Sequence, residues 1–307
     1  MKTIFISVII TAYNRKEFLL DAIKSSLNQT LSRNKYEIIV IKNFKDENID
    51  QFIKINGIKN IVMDGTIGEF LNEGIKNANG DIISFLDDDD LFYENKLDYV
   101  YNLFNHNSKL IYYHNLPTFI TNIGKIIDKN NHSLFFNLSC ISIKHDVIIQ
   151  NVLKEINILQ DLIMYYFAVE YRGHILANNE FLTYYRYHNS VSNAIGNLEY
   201  KINKRFELFI NYISTLKTLS PEFKSKKVKR DIFNFLLALE IDHNILCSIN
   251  GIDNKKIHIS IIDIIKFIFI FNYWNSYKYY LIKYIKLIQM YLPIKLKKMI
   301  EYHSLSK

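Results

Sequence analysis

Only two of the 307 residues are cysteines, Cys140 and Cys247, and neither stands in a CxxC or Cys/His spacing. That excludes a disulfide framework and a cysteine-based zinc site, and it makes a reducing cytoplasm the expected compartment. Proline (three residues) and glycine (nine) are also scarce, beside plentiful isoleucine, asparagine, lysine and tyrosine. This reads as a nucleotide-composition bias of the source genome and carries no functional weight. No uninterrupted apolar run approaches the ~20 residues of a membrane-spanning helix. The nearest, IIKFIFIFNYW (264–274), follows Asp263 and contains Lys266. IFISVII (4–10) is too short for a secretory signal and has no small-residue cleavage site. Repeats and low-complexity segments are also missing.

What the chain does have is 49% hydrophobic and 22% charged residues, the balance of a folded globular protein. Its length allows one large domain or two smaller ones. The charge is uneven: residues 1–200 carry a net −4, and residues 201–307 a net +11. Two regions with different surroundings are expected.

The first half alternates β-branched runs with amphipathic stretches. IFISVIITA (4–12), YEIIVIKNF (36–44), NIVMD (60–64) and DIISFL (81–86) read as strands. A helix is expected after Asn14 as N-cap, with Leu19, Ala22, Ile23 and Leu27 on one face. A second is expected over FLNEGIKNANG (70–80), stopping at Gly80. The pattern is that of an open α/β sheet. After residue 195 the texture becomes helical, with helices over 201–219 and 230–246 joined by SPEFKSKKVK. We therefore expect a domain over 1–195 and a basic, aromatic-rich helical extension over 196–307.

The most telling stretch is SFLDDDDLF (84–92), an apolar strand that ends in four consecutive carboxylates. Adjacent like charges cost stability unless solvent or a cation takes them up. In open α/β sheets ligands bind outside the carboxyl ends of the strands, where this run lies. A merely solvated turn would more usually contain Gly, Asn or Pro. Paired carboxylates there suit Mg²⁺ or Mn²⁺, which complete their shells with phosphate oxygens and water. The pattern alone fits any diphosphate chemistry, since phosphatases and nucleotidyltransferases use similar pairs.

Several motifs narrow this. IISFLDDDDLF resembles the F-L-D-x-D-D stretch of family-2 glycosyltransferases with the GT-A fold. SVIITAYNR (7–15) is similar to their opening strand and nucleotide-binding turn, and DAIKSSLNQT (21–30) to the helix that follows. GEFLNEGIKNANGD (68–81) matches the approach to the acidic strand through Gly68, Asn72, Gly74, Ala78, Gly80 and Asp81. LQDLIMYYFAVEYRG (159–173) resembles the E-D-x-x-L…R-G segment, and LTYYRYHNSVSN (182–193) the closing Y-R-x-H stretch. The likeness covers about residues 5–193.

The resemblance implies a GT-A fold, a Rossmann-like mixed, mostly parallel sheet flanked by helices. It implies inverting transfer of a sugar from a nucleotide diphosphate sugar to an acceptor hydroxyl. Asp89 would ligate a divalent cation, Mg²⁺ or Mn²⁺, and Asp87 and Asp88 would meet ribose or diphosphate. Thr11, Tyr13, Asn14, Arg15, Asn43 and Asn72 would line the donor site, with Arg186 and His188 near the diphosphate. Asp161 would be the general base, its pKa raised by partial burial. Lys42-Asn43 replaces an acidic pair that the family often has, and Lys42 or Lys45 is expected to meet phosphate instead. Leu71 replaces an arginine and Gln160 a glutamate. The alternatives are a degenerate nucleotide-sugar-binding scaffold without turnover and a DxD-type metal-dependent phosphohydrolase.

Cys140, within NLSCISI (137–143), reads as a small core residue. In the last third, Lys278, Lys283, Lys286 and Gln289 fall on one helical arc. Tyr280, Leu281, Tyr284, Leu287, Ile288 and Tyr291 fall on the other. With Trp274 nearby, that is the composition of an interfacial helix. A cytoplasmic protein peripheral to the inner face of the membrane, acting on a lipid-linked acceptor, is the expectation. A nucleic-acid partner is not expected, because no binding module accompanies the lysines.

Overall fold

A computed structural model describes residues 4–128, 137–187, 197–269 and 288–305. His188 and the stretch 270–287, with Trp274 and the lysine arc from Lys278 to Lys286, lie outside the described residues. The chain divides into two compact units, Met1–His188 and Asn189–Lys307.

The first unit is built on a nine-stranded mixed sheet. β1 (Ile6–Ala12), β2 (Tyr36–Lys42), β3 (Lys59–Val62) and β4 (Ile82–Asp87) run parallel in the order β3-β2-β1-β4. All seven β1 residues are buried, as a mostly apolar strand covered on both faces requires, and the two polar ones, Ser7 and Thr11, are buried with them. α1 (Leu19–Leu27), α2 (Glu47–Ile55) and α3 (Ile67–Lys76) connect these strands. After β4 come β5 (Leu91–Phe92), α4 (Lys96–His106), β6 (Leu110–Ile120), β7 (Ile126–Asp128) and β8 (Ile141–Lys144). α5 (Gln150–Leu153), α6 (Gln160–Tyr171) and β9 (His174–Arg186) complete the unit. β8 pairs antiparallel with β4 and β6, β9 parallel with β6, and the two-residue β5 antiparallel with β9.

Several expectations about element ends are corrected. α1 begins at Leu19, not after Asn14, because Asn14 adopts a left-handed φ of 54° and turns the chain instead. Leu19, Ala22 and Ile23 are buried as their spacing requires. α2 was not anticipated, although Asp46 caps it by accepting from the Ile49 N–H and Ile49 and Ile53 face inward. α3 starts earlier, on a Thr66/Glu69 capping box, and ends at Lys76 with Asn77 as C-cap. Gly80 therefore stops no helix. A Cβ there would lie 2.4 Å from the Ser7 backbone nitrogen, so close chain approach demands the glycine. Gly68 answers a similar need, since a Cβ would lie 2.0 Å from the Leu153 carbonyl oxygen.

In the second unit, α7 (Leu198–Leu219) and α8 (Lys226–Asn250) lengthen the two expected helices, so most of the presumed linker is helical. α9 (Ile261–Phe269) and α10 (Ile294–Leu305) follow. By length and composition α8 is apolar enough to cross a membrane, but 72% of that window is buried within the protein, as in a core helix.

Candidate active site

The parallel register sets Thr11 of β1 beside Asp87 of β4, and Ala12 beside Lys42 of β2. The carboxyl ends of three strands thus converge. Past β1, Tyr13 is half exposed and tilts against Phe70 of α3 at 5.8 Å. The turn at Asn14 is locked to the end of β2. The Asn14 N–H donates to Asn43 Oδ1 at 2.8 Å, and Asn43 Nδ2 donates to Asn14 Oδ1 at 2.6 Å. This turn aims Arg15 across the sheet at the acidic run. Its Nε donates to Asp88 Oδ2 at 2.8 Å, and Nη2 reaches Asp88 Oδ1 at 2.5 Å and Asp89 Oδ2 at 2.6 Å.

The four carboxylates therefore have different surroundings. Asp88 is buried and clamped by Arg15. The Asp87 N–H donates to Ser139 Oγ at 3.0 Å. Asp90 is buried: its Oδ2 accepts from Ser139 Oγ at 2.7 Å and Asn137 Nδ2 at 3.2 Å, and its Oδ1 accepts from the Arg186 N–H at 3.0 Å. Asp87, Asp89 and Asp90 each turn a carboxylate oxygen into one cluster, within 4.8 Å of one another. Burial, with the neighbouring Asp89, pushes Asp90 up to about 7, and burial pushes Asp88 up to about 6 despite Arg15. Asp87 is pushed well above the usual range by burial and its three acidic neighbours. Such a cluster holds protons unless a cation takes their place. Three hard oxygen donors fit Mg²⁺ or Mn²⁺.

Arg186 is buried behind this turn. Its Nε donates to the Asp89 carbonyl at 2.9 Å, Nη1 donates to the Asn122 carbonyl, and the guanidinium lies 4.4 Å from the Phe18 ring centroid. Its polar contacts thus hold the acidic turn from beneath. Lys42 is also fully buried, bonded to the Phe44 carbonyl at 2.6 Å and Asp50 Oδ1 at 2.8 Å. It is committed to the fold, which corrects the expectation that it meets phosphate; Lys45 is exposed. Asn72, on α3, is buried, and its Oδ1 has no hydrogen-bond partner among the described residues. A buried amide oxygen left open in this way is costly without a ligand or water to satisfy it.

Asp161 stands in the first turn of α6, after Leu159 at a left-handed φ of 67°. Its Oδ1 accepts from the Leu162 N–H at 2.7 Å, and it makes no ion pair to Lys154 or Arg172. The carboxyl keeps some exposure but is densely surrounded by protein, and this burial raises its pKa. Burial raises the Tyr112 hydroxyl well above its ordinary value and pushes the Cys140 thiol up to about 12. Cys140 is a core residue, fully buried, as expected.

Residues 7–157 match the family model described as Glycosyl transferase family 2. Residues 7–157 are a family-2 glycosyltransferase domain. An uncharacterized glycosyltransferase of Rickettsia typhi is 33% identical over 136 residues, 43% of this chain and 40% of that protein. The poly(ribitol-phosphate) β-N-acetylglucosaminyltransferase TarP of Staphylococcus aureus is 33% identical over 104 residues, 32% of each chain. The chain thus spans well under two thirds of these relatives. In structure it is similar to S. aureus TarS 1–349, solved in complex with UDP-GlcNAc, with a TM-score of 0.54 at 14% identity. That match covers 86% of this chain and 78% of the other. The sheet and helices of the glycosyltransferase domain are those of the GT-A fold.

Within this domain, sequence reasoning missed Asn137, Ser139 and Lys96, and took Asp90 only as one of the acidic run without a role of its own. The fourth aspartate was visible, but its role beside Asp87 and Asp89 follows from the turn closed by the Asp90 N–H on the Asp87 carbonyl at 3.2 Å. The polar residues Asn137 and Ser139 within an otherwise apolar run were the available signal.

Proposed function

We propose that the protein is an inverting glycosyltransferase that moves a sugar from a nucleotide diphosphate sugar to an acceptor hydroxyl. The observation that carries this is the Asp87–Asp89–Asp90 cluster at the carboxyl end of β4 in a family-2 domain. Thr11, Tyr13, Asn14, Asn43 and Asn72 hold the donor, with Asn72 Oδ1 satisfied by it. Arg15 exchanges its contact with Asp89 for the diphosphate, and Asp89 is then the principal ligand of a divalent cation. Asp87 and Asp88 face ribose and diphosphate. A bound Mg²⁺ or Mn²⁺ supplies charge neutralisation for the leaving group. The acceptor oxygen attacks the anomeric carbon from the face opposite the diphosphate. A carbon–oxygen bond forms as that to the diphosphate breaks, and the acceptor proton passes to Asp161. Arg186 steadies the acidic turn at the diphosphate end, and His188, beyond the described residues, is assigned with it.

TarS in complex with UDP-GlcNAc makes uridine the first base to try. The deciding experiment is thermal stability with UDP, GDP, CDP and dTDP, each with and without Mn²⁺. One nucleotide should raise the melting temperature, and only with metal; no rise with any of them removes the donor-site assignment.

The proton-holding cluster predicts a pH dependence. Ligation needs ionised carboxylates, so Mn²⁺ affinity should rise from pH 5.5 to pH 8 as Asp90 (about 7) loses its proton, with Asp87, also raised, adding to the dependence. Titration of free Mn²⁺ by electron paramagnetic resonance checks this; a flat profile contradicts it.

For the acceptor we propose a lipid-linked glycan met in the cytoplasm at the inner face of the membrane. In the second unit Ile261 (76%), Ile262 (64%) and Tyr291 (73%) are exposed, and so are Lys255, Lys256 and Lys295 within a few positions of them in the sequence. Exposed apolar side chains with lysines close by in the chain suit an anionic lipid surface. The protein should float with vesicles containing phosphatidylglycerol and not with pure phosphatidylcholine; equal recovery with neither would refute the contact.

A further inference from the structure

Lys96 opens α4, six positions after the acidic run ends at Asp90, and is fully buried. Its ammonium uses all three donors on neutral acceptors from three segments. These are Asn115 Oδ1 of β6 at 2.8 Å, Thr183 Oγ1 of β9 at 2.9 Å and the Ser139 carbonyl at 2.6 Å. Thr183 Oγ1 also donates to the Ser139 carbonyl, at 3.1 Å, and accepts from Asn115 Nδ2 at 3.1 Å. The ammonium lies 4.4 Å from the Phe92 ring centroid. The network's output is Ser139. While its carbonyl is gripped by Lys96 and Thr183, its hydroxyl donates to Asp90 Oδ2 and accepts from the Asp87 N–H. One side chain thus ties the backbone of the first aspartate and the carboxylate of the last to a single buried anchor.

A buried ammonium is an expensive strut. An apolar side chain of similar length would avoid its desolvation cost, and three neutral acceptors return less than an ion pair would. We propose that Lys96 is a positioning residue that, through Ser139, sets Asp87 and Asp90 in the arrangement that accepts a divalent cation. The inference rests on the donor-site reading above and deepens it. Groups that orient the ligands of a metal commonly change its affinity by ten- to a hundredfold when removed.

The test is Mn²⁺ binding to the full chain, read by electron paramagnetic resonance, beside melting temperature. Ser139→Ala should weaken Mn²⁺ about tenfold or more, and Ser139→Thr, which keeps the hydroxyl, should recover most of it. Lys96→Met should weaken Mn²⁺ similarly, and the double variant Lys96→Met/Ser139→Ala should be no weaker than either single one, as for residues acting through one path. If Lys96→Met does not fold, the two Ser139 variants decide. Wild-type affinity in Ser139→Ala overturns the proposal while leaving the metal site standing. Fully additive losses overturn the relay through Ser139. A wild-type protein that binds no Mn²⁺ removes the metal reading and this inference with it.

Discussion

Replacing Asp161 by Asn is expected to lower turnover by about a thousandfold, within the range that a positioned general base contributes. Nucleotide and metal binding should be unchanged. The measurement is release of nucleoside diphosphate from the donor selected by thermal shift, beside the shift itself. Stability offers an internal control. Folding raises the pKa of Asp161, so the folded state holds its proton more tightly than the unfolded chain. Between the ordinary carboxylate value and the raised one, stability falls as pH rises, and at neutral pH the buried charge is a cost. The neutral amide should therefore leave the melting temperature unchanged or higher. In the wild type, activity should fail on the acid side at a pH above the ordinary carboxylate value, because the base must be ionised. A variant that keeps its turnover would show that Asp161 is no base; a wild type that binds nucleotide without turnover would favour the scaffold reading.

Replacing Asp89 by Asn should abolish the metal-dependent part of nucleotide binding. A ligand at a hundred times its Kd stabilises the folded state by about 2.7 kcal/mol, and the variant should lose most of that increment. The fold should survive, since Arg15 keeps its two contacts to Asp88 and the Asp89 backbone carbonyl still accepts from Arg186. Loss of Mn²⁺ binding with an unchanged melting temperature in the absence of ligand is the expected pair of results. Undiminished Mn²⁺ binding would move the ligand role to Asp87 and Asp90.

Strands β1 to β4 were legible because each is rich in β-branched residues, and the place of the acidic run followed from the rule for open α/β sheets. The ends of helices were less legible. Asn14 looks like an N-cap by residue type, but its side chain is engaged by Asn43, 29 positions away, and no local pattern reports that. Gly80 looks like a helix stop, but its smallness answers the backbone of β1. Lys42 looks like a phosphate ligand by charge, but Asp50 of a helix absent from the pattern had already claimed it.

By itself, then, the sequence determined the α/β class, the acidic turn, the candidate base and the basic helical end. Each is written in residues that stand close together along the chain. Only the tertiary structure brought carboxylate oxygens of three of the four adjacent aspartates into one cluster, and set a lysine on a serine 43 positions away that bonds the first and last of the run. Burial, counter-charge and hydrogen bonding across strands set those roles, and they arise only when distant segments meet.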